Sequence, residues 1–361
     1  MAAHARDSGS SIGNTSSQPG NQLAIQVNDD RMTLAVAKVP QVYLYGVIDA
    51  DAPNRLGALI KSGKIRAGSD IYLNAIGGDI DAGMALGKLF RAASLGTHLG
   101  VPRRTARSPA GPRAAQCIDA CVYAYVGGLY RWAPTGNDRM GAQARNVVDA
   151  KTSQHGAAPA PADDKTTYLT DMGIRPESLA PTPTASPDDV IWLNGDQMIA
   201  MGVANNGRLP PEVTYRPTSG STYLSFSQTA RDGEHRITLL CRPDGLTLTA
   251  YYMIGAERSK KIAARVTHSY FEIDQQPTSQ TERGDITAIN QSLVFSHPVP
   301  MDQLARLLSA HSMGAWLADR GGAVRYGFAI DLDGAKAHLN DYNARCNQLA
   351  KLPSNGKTAG T

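Results

Sequence analysis

The alternation of strand-forming and helix-forming stretches between residues 41 and 101 most narrows the folds open to this chain. QVYLYGVID (41–49) is dense in aromatic and β-branched residues and predicts a strand; APNRLGALIKSG (52–63) predicts the helix after it. DIYLNAI (70–76) predicts a second strand, GGD (77–79) a turn, DAGMALGKLFRAAS (81–94) a second helix and THLGV (97–101) a third strand. Strand, helix, strand, helix in order implies an α/β domain with a largely parallel sheet, because parallel neighbours need crossover connections. YRWAP (130–134) and DRMGAQ (138–143) predict further short strands, and VIWLNGDQMIAMGVANNG (190–207) a strand entering a helix that stops at glycine.

The chain has 361 residues, enough for two ordinary domains, and its 42% hydrophobic content supplies full cores. Residues 1–38 read as a flexible lead-in and 39–207 as the first domain. Residues 208–220 read as a linker, 221–351 as a smaller β-rich domain and 352–361 as a tail. Within the β-rich part, STYLSFSQTA (221–230), HRITLLCRPDG (235–245), LTLTAYYMI (246–254) and KKIAARVTHSYFEID (260–274) alternate as strands do. PMDQLARLLSA (300–310) and GAKAHLNDYNARCNQLAKL (334–352) predict helices, with a late strand in GAVRYGFAIDLDG (322–334). The proline-rich stretches inside 151–187 read as linker around a short helix, TTYLTDMGI (166–174), and PRRTARSPAGPRA (102–114) as a loop insertion.

Composition excludes several classes. A net charge of +4 with scattered basic residues is not a nucleic-acid footprint, and no apolar run is long enough to span a membrane. No phosphate loop, dinucleotide glycine pattern, HExxH or GxSxG occurs, so no cofactor is expected. Cys117 and Cys121 have no histidine at metal-ligand spacing. If they share a helix they lie one turn apart, where a disulfide needs unusual torsions; buried thiols are the expectation.

The first domain resembles the proteolytic subunit of the Clp protease in its strand, its Asn-x-x-Gly-Gly turn (74–78) and its Ala-Gly-Met-Ala helix (82–85). It is more similar to bacterial envelope proteins sharing this Clp-protease and crotonase-like fold, with segments Cys-x-Ser-Ala-Cys, Gly-Phe-His and Asp-x-x-Trp-Leu. Here CIDAC (117–121), GAQ (141–143) and DVIWL (189–193) occur in that order, over residues 40–207. The resemblance implies that the nucleophile's position is Asp119, the base's Gln143 (Ala142 if the register slips by one) and the orienting acid's Asp189 or Asp188. It implies an oxyanion site at Gly77 and Gly78, with the Ala120 N–H as companion donor.

Serine-type hydrolysis needs a hydroxyl whose proton an imidazole accepts near neutrality, and glutamine accepts none. A rescue would need His98 or His155, neither at the matching position. The resemblance therefore points to a catalytically degenerate, pseudoprotease-like protein that binds a protein or peptide in its groove and self-associates. The opposing expectation is an enzyme using Asp119 with Gly77 and Gly78. Asp119 is expected to cap the helix after it and, compatibly with that, to plug the amide cluster with its carboxylate. The C-terminal FAIDLDGAKAHLNDYNARC (328–346) resembles the endings of secreted bacterial domains, which implies a Cys241–Cys346 disulfide and an oxidising compartment, periplasmic or secreted. A start without a signal peptide's apolar core leaves the cytoplasm as the alternative.

Overall fold

A computed structural model describes residues 21–102, 114–143, 164–179, 189–278, 281–282 and 286–351. The chain divides between Asn206 and Gly207 into two compact units, Met1–Asn206 and Gly207–Thr361.

The first unit runs β1 (Ala24–Asn28), α1 (Arg31–Ala37), β2 (Gln41–Ile48), α2 (Ala52–Lys61), β3 (Asp70–Gly78), α3 (Ile80–Ala92), β4 (Gly96–Leu99), β5 (Gln116–Ile118), α4 (Ala120–Val126), β6 (Tyr130–Arg131), β7 (Arg139–Gln143), α5 (Asp164–Asp171), β8 (Val190–Leu193) and α6 (Gly195–Ala200). Its sheet is parallel through β2, β3, β5 and β7, with antiparallel β1 and β8 at the edges. The sheet forks at β3: Asp70–Leu73 pair with β4, whereas Ala75 and Ile76 pair with β5. Strand alternation decides the faces, so Ile71, Leu73 and Ala75 are buried while Ile76 is exposed. Buried Leu86 and Phe90 of α3 and Cys121, Ala124 and Tyr125 of α4 belong to the same apolar core.

The second unit runs β9 (Glu212–Pro217), β10 (Thr222–Ala230), β11 (Gly233–Arg242), β12 (Gly245–Met253), α7 (Ala256–Ala263), β13 (His268–Ile273), β14 (Gln276–Pro277), β15 (Thr281–Glu282), β16 (Thr287–Ile289), β17 (Ser292–Val299), α8 (Met301–Ser309), β18 (Ser312–Ala318), β19 (Arg325–Asp331) and α9 (Lys336–Leu349). Six strands form one antiparallel sheet in the order β16-β17-β12-β11-β10-β9; β14-β13-β18-β19, with β15 on β13, form another. Phe271 of β13 and Phe295 of β17 meet at 5.3 Å between ring centroids, so residues from both sheets share one core. Cys241 on β11 and Cys346 on α9 form the expected disulfide, with Cα atoms 5.6 Å apart.

Several expectations are corrected. The expected flexible lead-in contains β1 and α1, because Asp30 caps α1 through the N–H groups of Met32 and Thr33 and β1 pairs with β2. The expected linker contains β9, paired from Glu212 to Pro217 with β10. Lys260–Ala263 end a helix rather than start a strand, since Ser259 and Ile262 bury one helical face. The insertion from residue 103, most of the linker inside 151–187, and Asp188 and His155 lie outside the described residues.

The start of the first unit is fastened by one carboxylate. Asp49 Oδ2 accepts from the Leu23 N–H at 2.9 Å and from Arg55 Nη2 at 2.7 Å, while the same nitrogen donates to the Leu23 carbonyl. The Arg55 guanidinium, with the Leu23 N–H, holds the Asp49 carboxyl well below the usual carboxylate range. A depressed pKa contributes stability that is full above about pH 4 and lost as the pH falls through the lowered value. Thermal unfolding of the first unit between pH 2 and 6 is therefore expected to be less acid-sensitive in Asp49→Asn than in the parent. In the second unit, the 105-residue separation of the disulfide partners predicts that Cys241→Ala with Cys346→Ala lowers stability by about 4–5 kcal/mol in denaturant titrations.

Candidate functional site

At the end of β5 the chain leaves the sheet within a single residue. Asp119 has φ 52° and ψ −108°, a backbone region costly for any side chain other than hydrogen, by about 1–3 kcal/mol. Its N–H still donates to the Gly141 carbonyl at 3.2 Å as a strand residue, while its own carbonyl accepts from the Val122 N–H at 2.8 Å as the start of α4. Strand β7 thereby loses the next acceptor in its ladder with β5. The Asp119 side chain replaces it: Oδ1 accepts from the Gln143 N–H at 2.7 Å. Asp119 is buried.

This geometry corrects two expectations for Asp119. It stands at the N-cap of α4, but its side chain makes no capping bond there. Its carboxylate turns to β7, and among the described residues it takes no hydrogen bond from the amides of Gly77, Gly78 or Ala120. The plug therefore does not form.

Cys117 and Cys121 are joined in a disulfide, with Cα atoms 5.1 Å apart, which overturns the expectation of free thiols. The torsional objection assumed a shared helix. The elbow places Cys117 on the strand and Cys121 in the first turn of α4, so the bond spans the turn instead. For a loop this short the chain-entropy model gives about 2 kcal/mol, the same scale as the backbone strain it encloses.

Register brings the other expected residues to the same end of the sheet. Ile76 pairs with Ile118, so Gly77 lies beside Asp119 one position on. Gly77 and Gly78 have φ of 98° and 121°. A Cβ at Gly78 would sit 2.1 Å from the Ile48 carbonyl oxygen, so close backbone approach also demands glycine there. Gln143 pairs with Val190, which places Asp189 next to that pair, exposed. Ala142 faces the other side of β7 and is buried. His98 is elsewhere: it pairs with Tyr72, five residues before Gly77, and its ring is stacked between Tyr72 and Trp132 at 4.8 and 4.3 Å.

No known protein family and no curated protein matches the sequence. Three solved structures illustrate its likenesses. A mutant of the 1510-N membrane-bound stomatin-specific protease is 16% identical over 45% of this chain and 77% of its own, at a TM-score of 0.28. A ClpP1 mutant from Listeria monocytogenes is 13% identical over 48% of this chain and 94% of its own, at 0.29. A putative enoyl-CoA hydratase from Streptomyces avermitilis is 13% identical over 50% of this chain and 66% of its own, at 0.30.

Three features of the site had weak signals or none in the sequence. A cavity of about 150 Å³ lies beside the elbow, lined by Val122 of α4, Met140 and Ala142 of β7, Ile191 and Leu193 of β8 and Leu179, with Glu177 and Ser178 also on its wall. Helix α4 is seated by glycines: a Cβ at Gly83 would stand 2.2 Å from the Ala120 carbonyl oxygen, and one at Gly127 would stand 2.2 Å from Gly87 Cα. Its carboxyl end is held by two arginines. Arg91 Nε donates to the Gly127 carbonyl at 3.1 Å, and Arg131 Nη1 donates to the Gly128 carbonyl at 3.1 Å. Burial, then the neighbouring Arg91 charge, lowers the Arg131 pKa to about 10, which leaves it cationic at neutral pH. Cations are favourable at this end of a helix.

The carboxylate's ladder role sets an expectation. Asp119→Ala leaves the Gln143 N–H without its acceptor and lowers the stability of the first unit by about 1–3 kcal/mol. Asp119→Asn keeps an oxygen acceptor and costs less. Denaturant titration followed by fluorescence, with Trp132 and Trp192 reporting the first unit, separates the two.

Proposed function

We propose that this chain is a binding protein built on a protease-like elbow, in which the nucleophile's seat has become a structural acceptor. The observation that carries this is the 2.7 Å hydrogen bond from the Gln143 N–H to the Asp119 carboxylate. A carboxylate that completes a sheet ladder is committed to that bond, and the glutamine in the base's position accepts no proton at neutral pH. Asp189, at the orienting acid's position, then has no imidazole at Gln143 to orient. The ligand is an extended peptide or protein segment that places one apolar side chain in the cavity beside Val122 and Ala142. Gly77, Gly78 and Ala120 supply backbone donors for the ligand's carbonyl groups. The protein works in the bacterial envelope as a self-associating scaffold; its two disulfides suit an oxidising compartment.

A second reading draws on the strained backbone at Asp119, since such conformations cluster at reactive positions. In it Asp119 acts as nucleophile or base on an activated acyl group, with Gly77 and Gly78 around the oxyanion.

Incubation of the full chain with a fluorophosphonate, model peptides and p-nitrophenyl acyl esters distinguishes the two. The binding reading expects no labelling and no turnover above background. It also expects a fluorescent leucine-rich peptide to bind, with Ala142→Phe weakening it at least tenfold by filling the cavity. Turnover abolished by Asp119→Asn establishes the second reading and overturns the first; equal peptide affinity in Ala142→Phe removes the cavity from the binding site.

A further inference from the structure

One covalent bond governs the elbow. Cys117 is the middle residue of β5 and Cys121 the second residue of α4, and their disulfide ties strand to helix directly across Asp119. Asp119 sits in a backbone region that a non-glycine residue leaves when nothing holds it there. The hydrogen bonds at the turn run from the Val122 N–H to the Asp119 carbonyl within α4, and to β7 from the Asp119 N–H to the Gly141 carbonyl and from the Gln143 N–H to the Asp119 carboxylate. The carboxylate bond needs the positive φ that the disulfide brackets, because φ sets where Cβ points, whereas the Asp119 N–H makes an ordinary ladder bond.

We propose that the Cys117–Cys121 pair is a redox clamp on the candidate site. Oxidised, it holds the Asp119 carboxylate on the Gln143 N–H. Two-electron reduction by a dithiol lets Asp119 relax toward ordinary φ, withdraws its carboxylate from β7, and frees the strand end beside Asp189. The exchange is balanced: a dithiol thiolate attacks one sulfur and expels the other cysteine as thiolate. The second dithiol sulfur then displaces the first cysteine, giving two protein thiols and a cyclic disulfide. Two electrons and two protons pass from the dithiol to the pair. Both sulfur-bearing residues are fully buried, so attack proceeds through local opening of the elbow. The Cys241–Cys346 bond joins β11 to α9 in the second unit and does not restrain this turn. The clamp concerns the state of the elbow and stands whether or not a peptide binds there.

Amide hydrogen exchange on the full chain, read by NMR in the oxidised protein and in increasing dithiothreitol, tests it. Alkylation and peptide mass analysis report which cysteines are free. With Cys117 and Cys121 reduced, protection of the Gln143 amide is expected to fall at least tenfold, while that of Leu73 in the middle of β3 is unchanged. Cys117→Ala with Cys121→Ala is expected to reproduce the loss without reductant; the dithiothreitol series on the parent protein decides the matter if that variant does not fold. Unchanged Gln143 protection in the reduced protein overturns the clamp. So does a pair that stays oxidised until Leu73 protection is lost as well, because the bond then opens only when the whole unit unfolds. Loss of peptide binding with an intact redox response refutes the binding function and leaves the clamp standing.

Discussion

The hydrogen bond from the Gln143 N–H to the Asp119 carboxylate decides how the first unit ends its sheet. A strand residue that turns directly into a helix has one carbonyl and two claims on it. Here the carbonyl goes to α4, through the Val122 N–H, and β7 is left needing an acceptor. A side-chain oxygen two bonds beyond Cβ reaches the amide at 2.7 Å. A serine hydroxyl is one bond shorter and an alanine has no oxygen at all. The acid at position 119, odd as part of a cysteine motif, answers a local requirement of the backbone.

Next to that turn α3 and α4 come into backbone contact. Glycine at 83, 87 and 127 lets backbone meet backbone at the closest approaches, and the Ala120 carbonyl sits where a side chain at 83 would be. Once the helices meet this closely, the carboxyl end of α4 is buried with its carbonyls unpaired. Arg91 and Arg131 meet that need by donating to Gly127 and Gly128. The Tyr168 hydroxyl donates to the Tyr123 carbonyl at 2.6 Å from α5. The elbow, the glycine contact and the arginine pair are one connected solution to burying a seven-residue helix at both ends.

The parts of this arrangement that follow from periodicity were legible in the sequence. From β2 to α3, strand and helix patterns each extend over seven or more residues, and the elements form close to where the pattern predicts them. The positive φ at Gly77 and Gly78 was legible because paired glycines mark it, although the two residues end β3 instead of forming the expected turn. What escaped was short or depended on backbone direction. Helix α1 follows a polar, glycine-rich start and rests on one aspartate cap. Residues 260–263 carry an apolar residue that suits strand and helix equally, and tertiary burial of Ser259 and Ile262 chose the helix. The partner of Asp119 is a main-chain N–H, which no side chain announces. The Cys117–Cys121 bond depends on a reversal visible only in the φ of the residue between them.

The two disulfides act on different quantities, and their loop lengths show why. With its partners 105 positions apart, the Cys241–Cys346 bond restricts a large set of unfolded conformations, so its main effect is on global stability. With a separation of four, the Cys117–Cys121 bond removes few unfolded conformations, because neighbouring residues are never far apart in any state. Its larger consequence is in the folded state, where it selects among local backbone geometries. The geometry selected contains a strained residue whose side chain completes a sheet. A bond placed there stabilises the chain modestly and specifies one conformation of the site sharply.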